Sequence, residues 1–239
     1  MERPIRICVV VVSAALLAAG CGTNNARTSA PRASAATSTT QRVDRGQTVA
    51  LRATPGVTTT ELARADGLLR ATIAAMPKWE KPAMAYAAGY RSIGDAVTGD
   101  EHYVNWSYVD DGHILDPQRP ESIVYENRNG QLRAVAAMYM LPFGSSFADV
   151  PDVGGGLTQW HVHRDLCLTN DPQNKVVAGF AALNGPCPAR TSKAGNTPML
   201  HVWVVPNTCG PFASLEGGGA GQIPAGQTRL CDKTNASVR

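Results

Sequence analysis

Two histidines stand one residue apart in LTQWHVH, the stretch from Leu157 to His163, with a tryptophan just before the first. On an extended chain alternate side chains share a face, so His161 and His163 point one way and Trp160 and Val162 the other. Two imidazoles so placed can reach a common ion. A third can arrive from MLHVWVV, where His201 interrupts an apolar run, and a fourth from HYVNW, which begins with His102. Neutral imidazole binds zinc, copper, iron and nickel alike. The residues therefore predict one transition metal ion without choosing among these. Glu126, in VYEN, is a secondary carboxylate candidate. If Asn129-Gly130 makes a two-residue hairpin turn, however, Glu126 faces Arg133 and a cross-strand ion pair accounts for it. His113 lies among the turn residues of DDGHILDP and reads as an ordinary loop histidine.

A bland explanation competes with this one. A half-exposed strand can carry His161 and His163 on its wet face, and His201 can sit in a core bonded to backbone carbonyls. The protein is then a non-metal binding or scaffold module. Its aromatic residues Tyr103, Trp106, Trp160 and Trp203 would meet a small-molecule or protein partner, or simply fill the core. No catalytic residue is assigned. The serines form no G-x-S-x-G elbow, and the glycine triplets at 154–156 and 217–219 lack the setting and lysine of a phosphate loop.

The elements that must position the histidines follow from the pattern of apolar residues. Thr58 and Glu61 fit a capping box, and Leu62, Ala65, Leu69, Ile73 and Met76 then recur at helical spacing until Pro77. A second short helix starts near Pro82 and stops at Gly89. Beyond Gly99 the chain breaks into short runs rich in Val, Ile, Tyr and Trp. Strands are predicted over residues 102–108, 122–127, 132–141, 157–163, 175–180 and 199–206. Strands joined by hairpins without intervening helices predict a mainly β fold, an antiparallel sandwich or small barrel, with one or two helices ahead of it.

The start reads as an export signal. Arg3 and Arg6 precede an uncharged apolar run from Ile7 to Ala19 that closes on Gly20-Cys21; LAAGC resembles the bacterial lipobox, which implies cleavage before Cys21 and its lipidation, the alternative being a cleaved, freely secreted protein. Residues 21–56 have almost no large apolar side chains and read as a flexible tether. Residues 57–98 form the helical segment, 99–232 the β domain and 233–239 a tail. The expected location is the outer face of the cell membrane, held by the N-terminal lipid. In that compartment the even set Cys167, Cys187, Cys209 and Cys231 predicts two disulfides. Of the three possible connectivities, the local pairs Cys167–Cys187 and Cys209–Cys231 are preferred, because each staples a Pro/Gly-rich loop. A net charge of only +3, without a basic block, argues against nucleic acid as a partner.

Two resemblances add to this. The G-x5-H-x-H spacing of Gly155, His161 and His163 is similar to the first motif of metal-binding cupins, though Cys167 and Leu168 stand where that motif has its glutamate. More broadly, the blocks HYVN, LDPQRPESIVYEN, TQWHVHRDLC and LHVW resemble a family of uncharacterised exported bacterial lipoproteins, over about Ala87 to Cys231. The shared blocks contain His102, Glu126, His163 and His201. The resemblance implies a common fold and site and carries no activity.

The leader generates a prediction of its own. Expressed with its leader in a bacterial host fed an alkyne fatty acid, the protein takes up the label and pellets with membranes. Cys21→Ser loses both properties. Equal labelling of the variant would refute lipidation at Cys21.

Overall fold

Residues 49–51, 54–215 and 220–232 are described in the computed structural model of the protein. They belong to the unit spanning Arg42–Arg239. The apolar leader, Cys21, most of the tether, the second glycine triplet and the tail lie outside the described residues.

The helix predicted at Thr58 forms as expected. Helix α1 (Thr59–Ala75) is capped by Thr58, whose side chain accepts from the Glu61 amide while Glu61 accepts from the Thr58 amide. Its buried residues Ala65, Leu69, Thr72 and Ala75 recur every three or four positions. Pro77 turns the chain into a single 3-10 turn (Met76–Trp79), after which α2 (Pro82–Ala87) ends at Gly89, with φ 97°. Both helices lie on one face of a sheet. Ala65, Leu69 and Trp79 join Ile123, Tyr125, Tyr139 and Leu200 in one core. Two buried polar contacts pin the layers together. Thr72 Oγ1 meets the Tyr139 hydroxyl at 2.7 Å, and the Tyr125 hydroxyl donates to Trp79 O at 2.7 Å.

That sheet is antiparallel. It contains β1 (Arg91–Ser92), β2 (Asp100–Val104), β3 (Ser122–Arg128), β4 (Gln131–Met140) and β8 (Met199–Trp203), in the order β1-β2-β3-β4-β8. Its other face carries Val104, Val124, Ala136, Met138, Met140, Met199 and Trp203. A second antiparallel sheet, ordered β6-β5-β7, is built from β5 (Leu166–Thr169), β6 (Val177–Phe180) and β7 (Thr191–Lys193). Among the described residues the fold is thus mainly β, a sandwich of two antiparallel sheets with helices on one outer face. No barrel closes.

Several predicted boundaries move. The run from His102 stops as a strand at Val104, because Asn105 turns the chain: its Oδ1 accepts from the Ser107 amide and hydroxyl. β1 falls inside the segment expected to be helical. LTQWHVH is not a regular strand. It is a 3-10 turn (Gly155–Leu157) followed by extended chain in which His161 bridges Met199 and Val162 bridges Gln222. Asn129 and Gly130 do form the tight hairpin turn, with φ 54° and 82°. A bulge beside Val124 then gives β4 an extra residue, so Val135 and Ala136 both lie on the face away from the helices.

The disulfides are Cys167–Cys187 and Cys209–Cys231. The second ties the segment after β8 to the 220–232 segment, which lies against the histidines. Loops of 20 and 22 residues limit the unfolded chain by about 3 kcal/mol each. The double variant Cys209→Ala/Cys231→Ala should lose about that much stability in urea unfolding. Unchanged unfolding would remove this pair from the account.

Candidate functional site

His102 alternates with Val104 along β2, and His201 sits between Leu200 and Val202 on β8. Alternation turns both imidazoles onto the face away from the helices. Two strands, β3 and β4, separate them, so their backbones lie about 14 Å apart at ordinary strand spacing. Their Nε2 atoms are nevertheless 2.9 Å apart. Beneath them Val124 stands opposite His102 and Met138 opposite His201, and the two rings lean toward each other over the intervening strands. The bulge adds local twist, which brings the ends of such a row closer over the sheet face.

His161 reaches the same place from a third segment. It exchanges both backbone hydrogen bonds with Met199, at 3.0 and 2.8 Å, and so extends the edge of β8 by one residue. Its ring stacks on His201 at 4.9 Å between centroids, with 15° between planes. The His163 ring meets His161 edge-on at 5.3 Å. His161 and His201 are fully buried, His102 is buried and His163 partly so. The alternative that put His161 and His163 on a wet face does not hold for His161, which is fully buried, while His163 stays partly exposed; Gly221 packs against both rings. A Cβ added at Gly221 would lie 2.7 Å from His161 Cδ2 and 2.7 Å from Val162 O. Only glycine allows that approach.

Hydrogen bonds assign the tautomers. Asp95 precedes a 3-10 turn (Ala96–Thr98), accepts the His102 amide at 2.9 Å and faces His102 Nδ1 at 2.6 Å. Burial works to raise the Asp95 carboxyl, but the His102 imidazole and its hydrogen bonds outweigh this and hold it below the usual carboxylate range. An ionised Asp95 requires a proton on His102 Nδ1. In neutral His102, Nε2 is then an acceptor, and His201 Nε2–H donates to it. This leaves His201 Nδ1 as a bare acceptor. His161 Nδ1 faces Gln159 O at 3.4 Å, a long contact, and its Nε2 is bare in turn. Both His161 Nε2 and His201 Nδ1 are buried without a hydrogen-bond partner. Each such atom costs about 1–3 kcal/mol.

Burial drives the imidazoles of His161 and His201 well below their usual range, and neighbouring imidazoles push the same way. Burial, followed by His102, lowers His163 to about 4. At neutral pH these three rings are uncharged and keep their lone pairs, the form a metal requires. As placed, no three His, Cys, Asp or Glu side chains among the described residues converge at ligand distance around one point.

His102 and His163 also line a cavity of about 330 Å³ between the two sheets. Met138, Met140 and Met199 form its wall on the larger sheet, and Leu166, Leu168 and Phe180 its wall on the smaller. Trp106 borders it as well, whereas Trp160 and Trp203 are core residues and Tyr103 packs against Tyr125.

The remaining candidates lie elsewhere. Glu126 does stand opposite Arg133, but its carboxylate is taken by Arg128 Nε at 2.6 Å. It makes no hydrogen bond to the histidines among the described residues. The expected ion pair with Arg133 is thus replaced by one along β3. His113 is exposed and faces Asp111 at 3.2 Å. Sequence reasoning missed Asp95, Gln159 and Gly221. Asp95 lies in SIGDAVTGD, where it looks like any turn aspartate. Gln159 is two residues before His161, and its buried amide accepts from Ser214 Oγ at 2.8 Å. It also missed Glu121, buried on the helix side, where burial pushes the carboxyl up to about 8 while it accepts the Met140 amide at 2.9 Å.

No protein-family model, curated protein or solved structure matches the chain.

The neutral histidines imply a pH dependence. Unfolded imidazoles titrate near 6.5 and folded His163 near 4, so the unfolded chain binds more protons between those values. The histidine contribution is therefore present above pH 6.5 and lost as pH falls toward 4. Glu121, raised from 4.5 to about 8, acts with the opposite sign. Comparison with His163→Gln separates the two. In EDTA, wild type should lose stability relative to that variant as pH falls from 7 toward 4, measured by urea unfolding. Parallel profiles would show that His163 does not titrate this way.

Proposed function

We propose that this β domain binds one transition metal ion through its histidine cluster, and that the protein is held at the outer face of the cell membrane by a lipid on Cys21. The observation that carries the metal reading is the meeting of His102 Nε2, oriented from behind by Asp95, with His201 Nε2, beside the bare, buried Nε2 of His161. A carboxylate behind a ligating imidazole is the usual supporting arrangement: it fixes the tautomer and raises the basicity of the free nitrogen. The 2.9 Å between His102 Nε2 and His201 Nε2 also suits two ligands on one ion. At metal–nitrogen lengths near 2.0–2.1 Å such atoms lie about 2.9 Å apart at a right angle and about 3.4 Å apart at the tetrahedral angle. An ion could take the place of the His201–His102 hydrogen bond, with His163 and His161 turning to supply further ligands. Imidazole ligands alone do not choose among zinc, copper, iron and nickel.

A second reading is favoured by the same short contact. The chain Asp95–His102–His201 is a satisfied hydrogen-bond relay without any ion, and the cavity beside it would then serve a non-metal binding module.

Metal analysis decides between the two. Protein prepared without a polyhistidine tag, loaded with zinc or copper and desalted, should hold one equivalent. His102→Ala and His201→Ala should lose it, and His113→Ala should keep it. Asp95→Asn should bind the metal about 10–100-fold more weakly. Metal-free protein after loading with each of the four metals would leave the second reading standing.

A further inference from the structure

The cavity between the sheets is apolar along most of its wall, yet it is not sealed like a packing defect. Phe143 and Phe180 line it while remaining 43% and 50% exposed, so it opens to solvent between aromatic rings. Its volume of about 330 Å³ is roughly twice that of a 150 Å³ cavity able to hold benzene. It lies at the small end of the 300–1,000 Å³ found for small-molecule sites. Three of its wall residues are methionines. Their unbranched side chains adapt to a flexible apolar guest better than branched ones do.

The charges at this cavity are unequal. Deep inside, Asp95 is matched by its hydrogen bonds from His102. Toward the opening stand Lys175 and Lys193, both lining the cavity. Lys193 Nζ donates to the carbonyls of Ala182 and Leu183. Lys175 is different. Its ammonium lies 4.9 Å from the centre of the Trp106 ring and 4.6 Å from that of Phe143. Among the described residues it has no carboxylate and no hydrogen-bond acceptor. A partly buried ammonium held by two rings at the mouth of an apolar cavity is an incomplete ion pair. Its missing member is an anion attached to something apolar.

We infer that the cavity binds a small amphipathic carboxylate, its apolar body between the sheets and its carboxylate on Lys175. The aromatic rings of Trp106 and Phe143 hold the ammonium in place by cation–π attraction before the ligand arrives. The site does not depend on metal binding, since Lys175 and most of the wall lie outside the histidine cluster, which contributes only His102 and His163 to the lining. A bound ion near His102 and His163 would face the inner end of the ligand.

Decanoate and decanol serve as probes, because they share an apolar chain and differ in charge. Calorimetric titration is run on wild type and Lys175→Met, each with EDTA and after zinc loading. Wild type should bind decanoate in both conditions, at least about tenfold more tightly than decanol, the margin of one charge-assisted hydrogen bond. Lys175→Met should remove that margin and leave decanol binding unchanged, and Lys175→Arg should keep most of it. The inference is overturned if wild type binds neither probe, or if decanoate and decanol bind alike. It is equally overturned if decanoate binding survives Lys175→Met. Decanoate binding that vanishes in EDTA would place the carboxylate on the metal and refute the Lys175 assignment while supporting the metal reading.

Discussion

One contact organises this domain: the meeting of His102 and His201 above the middle strands of the larger sheet. Two imidazoles reach hydrogen-bond distance from strands β2 and β8 by leaning over the two strands between them, across Val124 opposite His102 and Met138 opposite His201. The contact also requires one ring to be oriented from behind, and Asp95 does this with a carboxylate that accepts both the amide and the ring N–H of the same histidine. Without that lean the rings lose their approach, and without Asp95 their tautomer.

Burying His161, His163 and His201 together has an electrostatic consequence. Charging one of them would place a cation in a poorly solvated space beside the others, so these three stay neutral where isolated histidines would begin to protonate. Neutrality leaves lone pairs, and the geometry leaves two of them unmatched. Unpaired buried polar atoms are few in folded domains, and each one calls for a physical account. The helices cover one face of the larger sheet with an ordinary apolar core, while the other face holds a cavity where the two sheets meet. The Cys209–Cys231 bridge fastens the segment whose glycine packs against His161 and so closes the back of the cluster.

Much of this could be read from residue types. The capping box at Thr58, the Pro82–Gly89 helix and the Asn129-Gly130 hairpin depend on contacts within a few residues, and each forms where its local signal lies. The two local disulfides join cysteines close in sequence. Elsewhere, distant partners overrode local pattern. LTQWHVH alternates like a strand, but no strand runs beside its whole length. It finds Met199 for one residue and Gln222 for the next. Glu126 met its predicted opposite, Arg133, in register and then bonded to Arg128, because cross-strand register does not dictate which side chain reaches farthest. Asp95 carried no signal, since a turn aspartate becomes a histidine's support only when β2 folds back over it.

What the chain by itself determined is therefore the inventory: which segments extend, which histidines sit in apolar surroundings, and that the fold is a layered β structure led by helices. Alternation and capping are properties of neighbouring residues and need no fold to be stated. Whether four imidazoles separated by up to 99 positions share one space was decided only by the order and curl of the sheet. The cavity was decided in the same way, because its walls come from two sheets whose facing depends on every loop between them. Local sequence specifies which groups are available. Their convergence is a property of the closed structure, where sheet register and the lean of the rings set the final few ångströms.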